Sequence, residues 1–168
     1  MRRMAFLPVL ALTVIAIGAF AQESKDLTRV VIPDDKEAAL GVLKEWLGAR
    51  GFEVEPRQGL VLMRRGGVLM NLIPIVHKGE LDRIRVIVFY NPKEEHKGSK
   101  EFEQLAVKLN RSQNFLQIFV DDDGDLGAAS NLTFYDELTA RVFDAFVDAF
   151  AQIVKKYVLT EEALKMLK

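Results

Sequence analysis

Between Phe52 and Tyr90 the chain packs several short apolar segments against one another with only a few turn-forming residues between them. Phe52-Glu53-Val54-Glu55 alternates with period two, and Pro56 to Gly59 turns the chain. Leu60 to Met63 is apolar, Arg64-Arg65-Gly66-Gly67 turns again, and Val68 to Val76 forms the next run. Lys78-Gly79-Glu80 then leads into Arg83 to Tyr90, which is rich in β-branched residues. A parallel crossover needs about a dozen residues or more, so strands this closely spaced must pair antiparallel. In the last of them Arg83, Arg85, Ile87 and Phe89 share one face, and Ile84, Val86, Val88 and Tyr90 share the other. Pro74 has no amide hydrogen, which predicts a sheet edge or a bulge late in its strand.

Helical periodicity brackets this meander. Asp34 or Asp35 can cap a first helix whose stripe is Ala39, Leu40, Leu43, Trp46 and Leu47, and Gly51 fits the left-handed position that ends it. Ser99 caps a second helix over 100–110, with Phe102, Leu105, Ala106 and Leu109 inward. Phe115 to Asp121 and Leu126 to Phe134 form a hairpin around Asp122-Asp123-Gly124, because a tight hairpin turn needs positive φ. The last long helix is expected from about 136 to 157, with Asp136-Glu137 at its positive end and Lys155-Lys156 at its negative end. Its stripe holds Leu138, Phe143, Phe146 and Phe150, and Thr160 caps a short terminal helix. The order α-β-β-β-β-α-β-β-α predicts an α+β fold, an antiparallel β-sheet packed against α-helices.

Three segments carry a family resemblance. WLGARGFEVE (Trp46 to Glu55) looks like a helix running through glycine into an aromatic-led strand, LAVKLNRSQNFLQIFV (Leu105 to Val120) like a central helix end and its following strand, and DDDGDL (Asp121 to Leu126) like a signature hairpin before a closing helix. Together they resemble the YbjN family, over most of residues 35–158, whose fold is similar to that of type III secretion chaperones. The resemblance implies a binding or chaperone-like module with no established enzyme chemistry, and homodimerisation, since similar chaperones pair. The exported N-terminus described next departs from the family's usual form.

Met1 to Met4 carries two arginines, Ala5 to Ile17 is almost wholly apolar, and Ala19-Phe20-Ala21 has the small-x-small spacing read by signal peptidase. This pattern predicts a cleavable signal peptide over 1–21, an extended leader over 22–34 and a single domain over 35–168, exported to the periplasm or secreted by a bacterium. The competing reading is an uncleaved anchor, at the short limit for a hydrocarbon core of ~30 Å. The chain of 168 residues has an ordinary globular balance, 49% hydrophobic and 28% charged. Its formal charge of -1 becomes -3 once Arg2 and Arg3 are removed, which gives no drive toward nucleic acid. No cysteine is present, so disulfides, thiolate metal sites and cysteine nucleophiles are excluded.

The remaining polar motifs are weak as sites. Asp121, Asp123 and Asp125, with Asp122, are the candidate ligands for a hard cation, but an EF-hand counted from Asp121 would need glycine and glutamate where Leu126 and Leu132 stand. A solvated hairpin turn accounts for them. His77 and His96 have no metal-ligand spacing, and no serine has a nucleophile-elbow setting. Gly66-Gly67 joins two strands and is not a phosphate cradle. Arg64-Arg65 and Arg83/Arg85 read as a solvated sheet face. No cofactor is expected. Phe143, Phe146 and Phe150 form a stripe wide enough to serve a partner as well as the core. The expected function is non-enzymatic protein binding in the cell envelope, chaperone-like or adaptor-like. The alternatives are a small-molecule or metal-ion sensor and an enzyme of unrecognised type.

Overall fold

The structure, a computed structural model, describes residues 27–168. The signal peptide read at 1–21 lies outside them. A short strand β1 (Arg29–Val31) occupies the segment read as a leader and precedes helix α1 (Lys36–Ala49). The meander follows as β2 (Val54–Arg57), β3 (Leu60–Arg65), β4 (Val68–Ile75) and β5 (Asp82–Tyr90). Next come α2 (Lys100–Arg111), β6 (Gln117–Val120), β7 (Leu126–Phe134), β8 (Glu137–Thr139), α3 (Ala140–Ile153) and α4 (Glu161–Met166). Strands β2 to β7 form a fully antiparallel sheet in the order β2-β3-β4-β5-β7-β6, while β1 and β8 form a separate two-stranded ribbon. The fold is the α+β arrangement expected.

Local chemistry sets the helix ends where the sequence placed them. The carboxylate of Asp35 accepts from the amide of Ala38 at 2.8 Å, Ser99 Oγ from Phe102 at 3.2 Å, and Thr160 Oγ1 from Ala163 at 3.2 Å. Gly51 ends α1 with φ of 82°, and the Phe52 amide turns back to the Leu47 carbonyl. One helix start differs. Asp136 takes φ of 53° and Glu137 belongs to β8, so α3 begins at Ala140, capped by Thr139. Leu138 is buried from a strand rather than from the helix. The reason is long-range: β8 exists because β1 pairs with it, Val30 opposite Leu138. Pro74 also sits differently from expectation. It lies in an interior strand, but beyond the end of β3, whose register stops at Val61 opposite Leu72. On that side no partner requires its missing amide.

One face of the sheet carries the core. Met63, Met70, Leu72, Ile84, Val86, Leu126 and Ala128 point to it, and α1 and α3 close over them with Leu43, Leu47, Phe143, Val147 and Phe150. Trp46 and Phe52 meet Phe143 edge-on at 5.5 and 6.3 Å between ring centroids. Arg50 stacks over Trp46 and donates to Asp144 at 2.5 Å, and Arg65 grips Asp148 with two bonds of 2.6 and 2.9 Å. These two pairs tie α3 to the end of α1 and to β3.

Candidate protein-binding face

Among the described residues no helix covers the opposite face of the same sheet. Its side chains come from the alternate strand positions: Leu62 on β3, Leu69 and Ile73 on β4, Ile87 and Phe89 on β5, Phe119 on β6. None of these belongs to the core cluster or packs against it. Ile87 is 5% exposed, but Leu69 stays 50% and Phe89 43% exposed. Phe89 and Phe119 stand edge to face at 6.4 Å across β7, where the register puts Gly127 between them. The Phe119 ring lies directly on that glycine: a Cβ there would fall 2.6 Å from Phe119 Cζ. Gly127 is thus needed for the Phe119 ring to lie against β7. Asn71 donates its side-chain amide to the Ile87 carbonyl at 3.2 Å.

A groove of about 460 Å³ lies at one end of this face, where Leu62, Leu69 and Phe89 line it together with Val68, Tyr90 and Leu159, and Arg57, Arg64 and Lys155 stand around it. Arg57 is paired to Glu55 at 3.2 Å. Arg64, and Arg83 and Arg85 farther along β5, form no ion pair among the described residues.

Both edges of the sheet are closed. At β2 the strand is four residues long and contains Pro56, which offers no N–H to an added strand. At β6 the Ile118 amide already donates to Asn110 Oδ1 at 2.9 Å, from the end of α2. Gln113 Oε1 accepts from the amides of Phe115 and Leu116, and its Nε2 donates to the Leu116 carbonyl at 2.7 Å. The motif residues Asn110 and Gln113 therefore guard an edge.

The residues singled out in the sequence distribute unevenly. Phe143 and Phe150 are fully buried in the core and cannot present a surface; covered by Trp46, Phe52 and the sheet, their part of the stripe is spent inside. Phe146 alone is half-buried, tilted against Phe115 at 5.4 Å. Beside that pair lies a larger hollow of about 670 Å³, but its Gln113 is committed to backbone and its Lys156 rests on the Tyr157 ring.

The aspartate turn is a hairpin. Gly124 takes φ of 82° and its amide donates to the Asp121 carbonyl. Asp121 Oδ1 accepts from the Asp125 amide at 2.8 Å, and Asp125 Oδ2 from Asn91 Nδ2 at 2.8 Å, while Asp123 points to solvent. Among the described residues no group of histidine and carboxylate side chains has a metal-holding geometry. Elsewhere, Asp82 and Asp148 are perturbed in opposite directions. Asp82 is buried with Oδ2 unpartnered, and desolvation pushes its carboxyl above the usual range. The hydrogen bonds from Arg65 hold Asp148 below that range.

Sequence reasoning placed Ile87 and Phe89 on one face with Arg83 and Arg85, but missed Leu62, Leu69 and Phe119 as their neighbours. The usable signal was in β4 and β5, which are apolar on both sides; a strand with one solvated face should alternate.

Comparison with known proteins agrees with this architecture. The crystal structure of YbjN from E. coli, "a putative transcription regulator", matches with a TM-score of 0.57 at 16% sequence identity, covering 77% of this chain and 95% of that one. That likeness shows the fold. No curated protein matches. Among the described residues no helix is long and apolar enough to cross a membrane. The profile of the family YbjN, "Putative bacterial sensory transduction regulator", matches residues 39–160, and its description names a regulator and no catalysed reaction. Spanning α1 to the end of α3 and beyond, that match makes the chain a member of the YbjN family.

Proposed function

We propose that this protein is an exported, non-catalytic binding module of the bacterial periplasm or envelope, which holds an apolar segment of a protein partner in a chaperone-like or adaptor-like manner. The observation that carries the reading is the apolar sheet face of Leu62, Leu69, Ile87, Phe89 and Phe119, over which no described helix lies. Soluble proteins seldom leave a contiguous apolar surface of this kind uncovered unless it is used. The secretory pattern of residues 1–21 supports the envelope location. The family's regulator description supports a role through partners rather than through turnover. The closed edges at Pro56 and Asn110 redirect the mechanism: capture runs through side chains on the face and not by strand addition.

The test is crosslinking in intact cells followed by purification of the tagged protein and mass spectrometry. A reproducible envelope partner, lost in Leu69→Asp and Phe89→Asp while the unfolding midpoint is kept, is expected. Retention of the same partner by both variants overturns the assignment of this face.

A further inference from the structure

The face also specifies what kind of segment it takes. We infer that its occupant is an amphipathic α-helix of a partner protein, carrying carboxylates along the flanks of its apolar stripe. This rests on the function proposed above and deepens it.

The width of the surface argues for a helix. Its most apolar strip lies on two neighbouring strands, β4 with Leu69 and Ile73 and β5 with Ile87 and Phe89. Two strands span about 10 Å at a spacing of ~4.8 Å, which is the diameter of one helix. An added strand is excluded at either edge, and a sheet with one bare apolar face is completed by a layer of helix or sheet.

Charge borders the strip, on β3 beside Leu69 and on β5 where Arg85 and Arg83 continue the line of Phe89 and Ile87. Arg64 stands opposite Leu69 on β3, Arg85 stands between Ile73 and Asn131, and Arg83 between Ile75 and Thr133. All three lack an ion-pair partner among the described residues. The carboxylates nearby are fewer: Glu55 is taken by Arg57, Glu53 shares a hollow with Arg64 and Leu69 without bonding Arg64, and Glu80 shares a hollow with Arg83 without bonding it. The chain as a whole carries -1, so a cationic rim is a local departure from its own balance. A second copy docked face to face would bring three further unpaired arginines to the interface, which raises its positive charge without neutralising it. An acidic helix pairs them.

The protein, purified as cells produce it, is titrated with synthetic helical peptides of about 18 residues, roughly 27 Å long. One has a leucine stripe flanked by glutamate, one the same stripe flanked by lysine, and one the glutamate composition scrambled so that no stripe forms. Fluorescence anisotropy and amide NMR shifts are read. The glutamate-flanked peptide should bind about ten-fold tighter than the lysine-flanked one, the sum expected of two or three exposed ion pairs. It should shift the amides of Leu69, Arg85 and Phe89, and Arg83→Glu with Arg85→Glu should invert the preference. Equal binding of the two striped peptides, or equal binding of the scrambled one, overturns the inference. So does a dimer in sedimentation that Phe89→Asp splits, or binding to vesicles of anionic phospholipid with none to the peptides. Loss of the cellular partner in Phe89→Asp without any charge preference among peptides removes the acidic helix and leaves the proposed function standing.

Discussion

The two faces of the six-stranded sheet are built from the same strands, one residue out of step, and they differ in what lands on them. On one side Met70, Leu72, Ile84 and Val86 lie beneath α1 and α3 at no exposure at all. On the other, no described helix lies over Leu69, Ile87 and Phe89, and two of the three stay substantially exposed. Both faces are apolar in β4 and β5, a pattern found where strands are covered on both sides. The difference teaches that apolar alternation assigns residues to a face, while burial depends on whether another element reaches it. The covered face carries the stability of the domain; the bare face carries surface that a partner would bury.

That division can be broken by experiment. The largest expected effect is on the covered face. Phe143→Ala should lower the unfolding free energy by about 3–5 kcal/mol, since it removes a fully buried ring from between Trp46 and Phe52. Phe89→Ala on the bare face should cost no more than about 1 kcal/mol. Similar losses in urea titrations would show that the two faces share the load. Next comes Gly127→Ala, where the new methyl meets the Phe119 ring at 2.6 Å. A loss of about 1–2 kcal/mol is expected, with altered ring shifts for Phe89 and Phe119. A neutral result would mean that the aromatic pair moves freely on the sheet.

Two acids sharpen the contrast in opposite directions. The Asp82 carboxyl is raised, so its contribution to stability is full below the ordinary carboxylate range and is lost as pH rises through its folded value. Asp82→Asn should therefore gain on the order of 1 kcal/mol at neutral pH, with the gain vanishing in acid. Asp148 is lowered by Arg65, so its stabilisation is present above the ordinary range and is lost as pH falls through its folded value. Asp148→Asn should cost less than about 1 kcal/mol at neutral pH, because the pair is partly solvated, and nothing in strong acid. Denaturation of both variants across roughly pH 3 to 7 checks the signs. The smallest effect is expected for Leu69→Asp, within about 0.5 kcal/mol of the parent, although it should abolish partner recovery.

Features written in adjacent residues are legible in the sequence itself. Asp35, Ser99 and Thr160 each satisfy an amide three residues on, and Gly51 and Gly124 each adopt the positive φ their turns require. The alternation of Arg83 to Tyr90 correctly divides the strand between the two faces. The start of α3 is not legible in this way. Asp136-Glu137 has the composition of a helix N-terminus, yet Glu137 is drawn into a strand by Arg29, 108 positions away. The stripe Phe143, Phe146, Phe150 is legible as apolar, but its division between core and surface is not, since that depends on where Trp46, Phe52 and Phe115 come to rest.

Short-range chemistry in the chain is enough to specify the antiparallel meander, the helix caps, the aspartate hairpin and the family pattern. Each of these is an interaction between residues a few positions apart, where the backbone's own geometry leaves few choices. Three-dimensional assembly alone settles that Asn110 and Gln113 close the β6 edge, that Gly127 lies under Phe119, and that no described helix covers Leu69 and Phe89. Those outcomes depend on segments distant in sequence meeting in space, and a strand's alternation records which way a side chain points but not what it will find there.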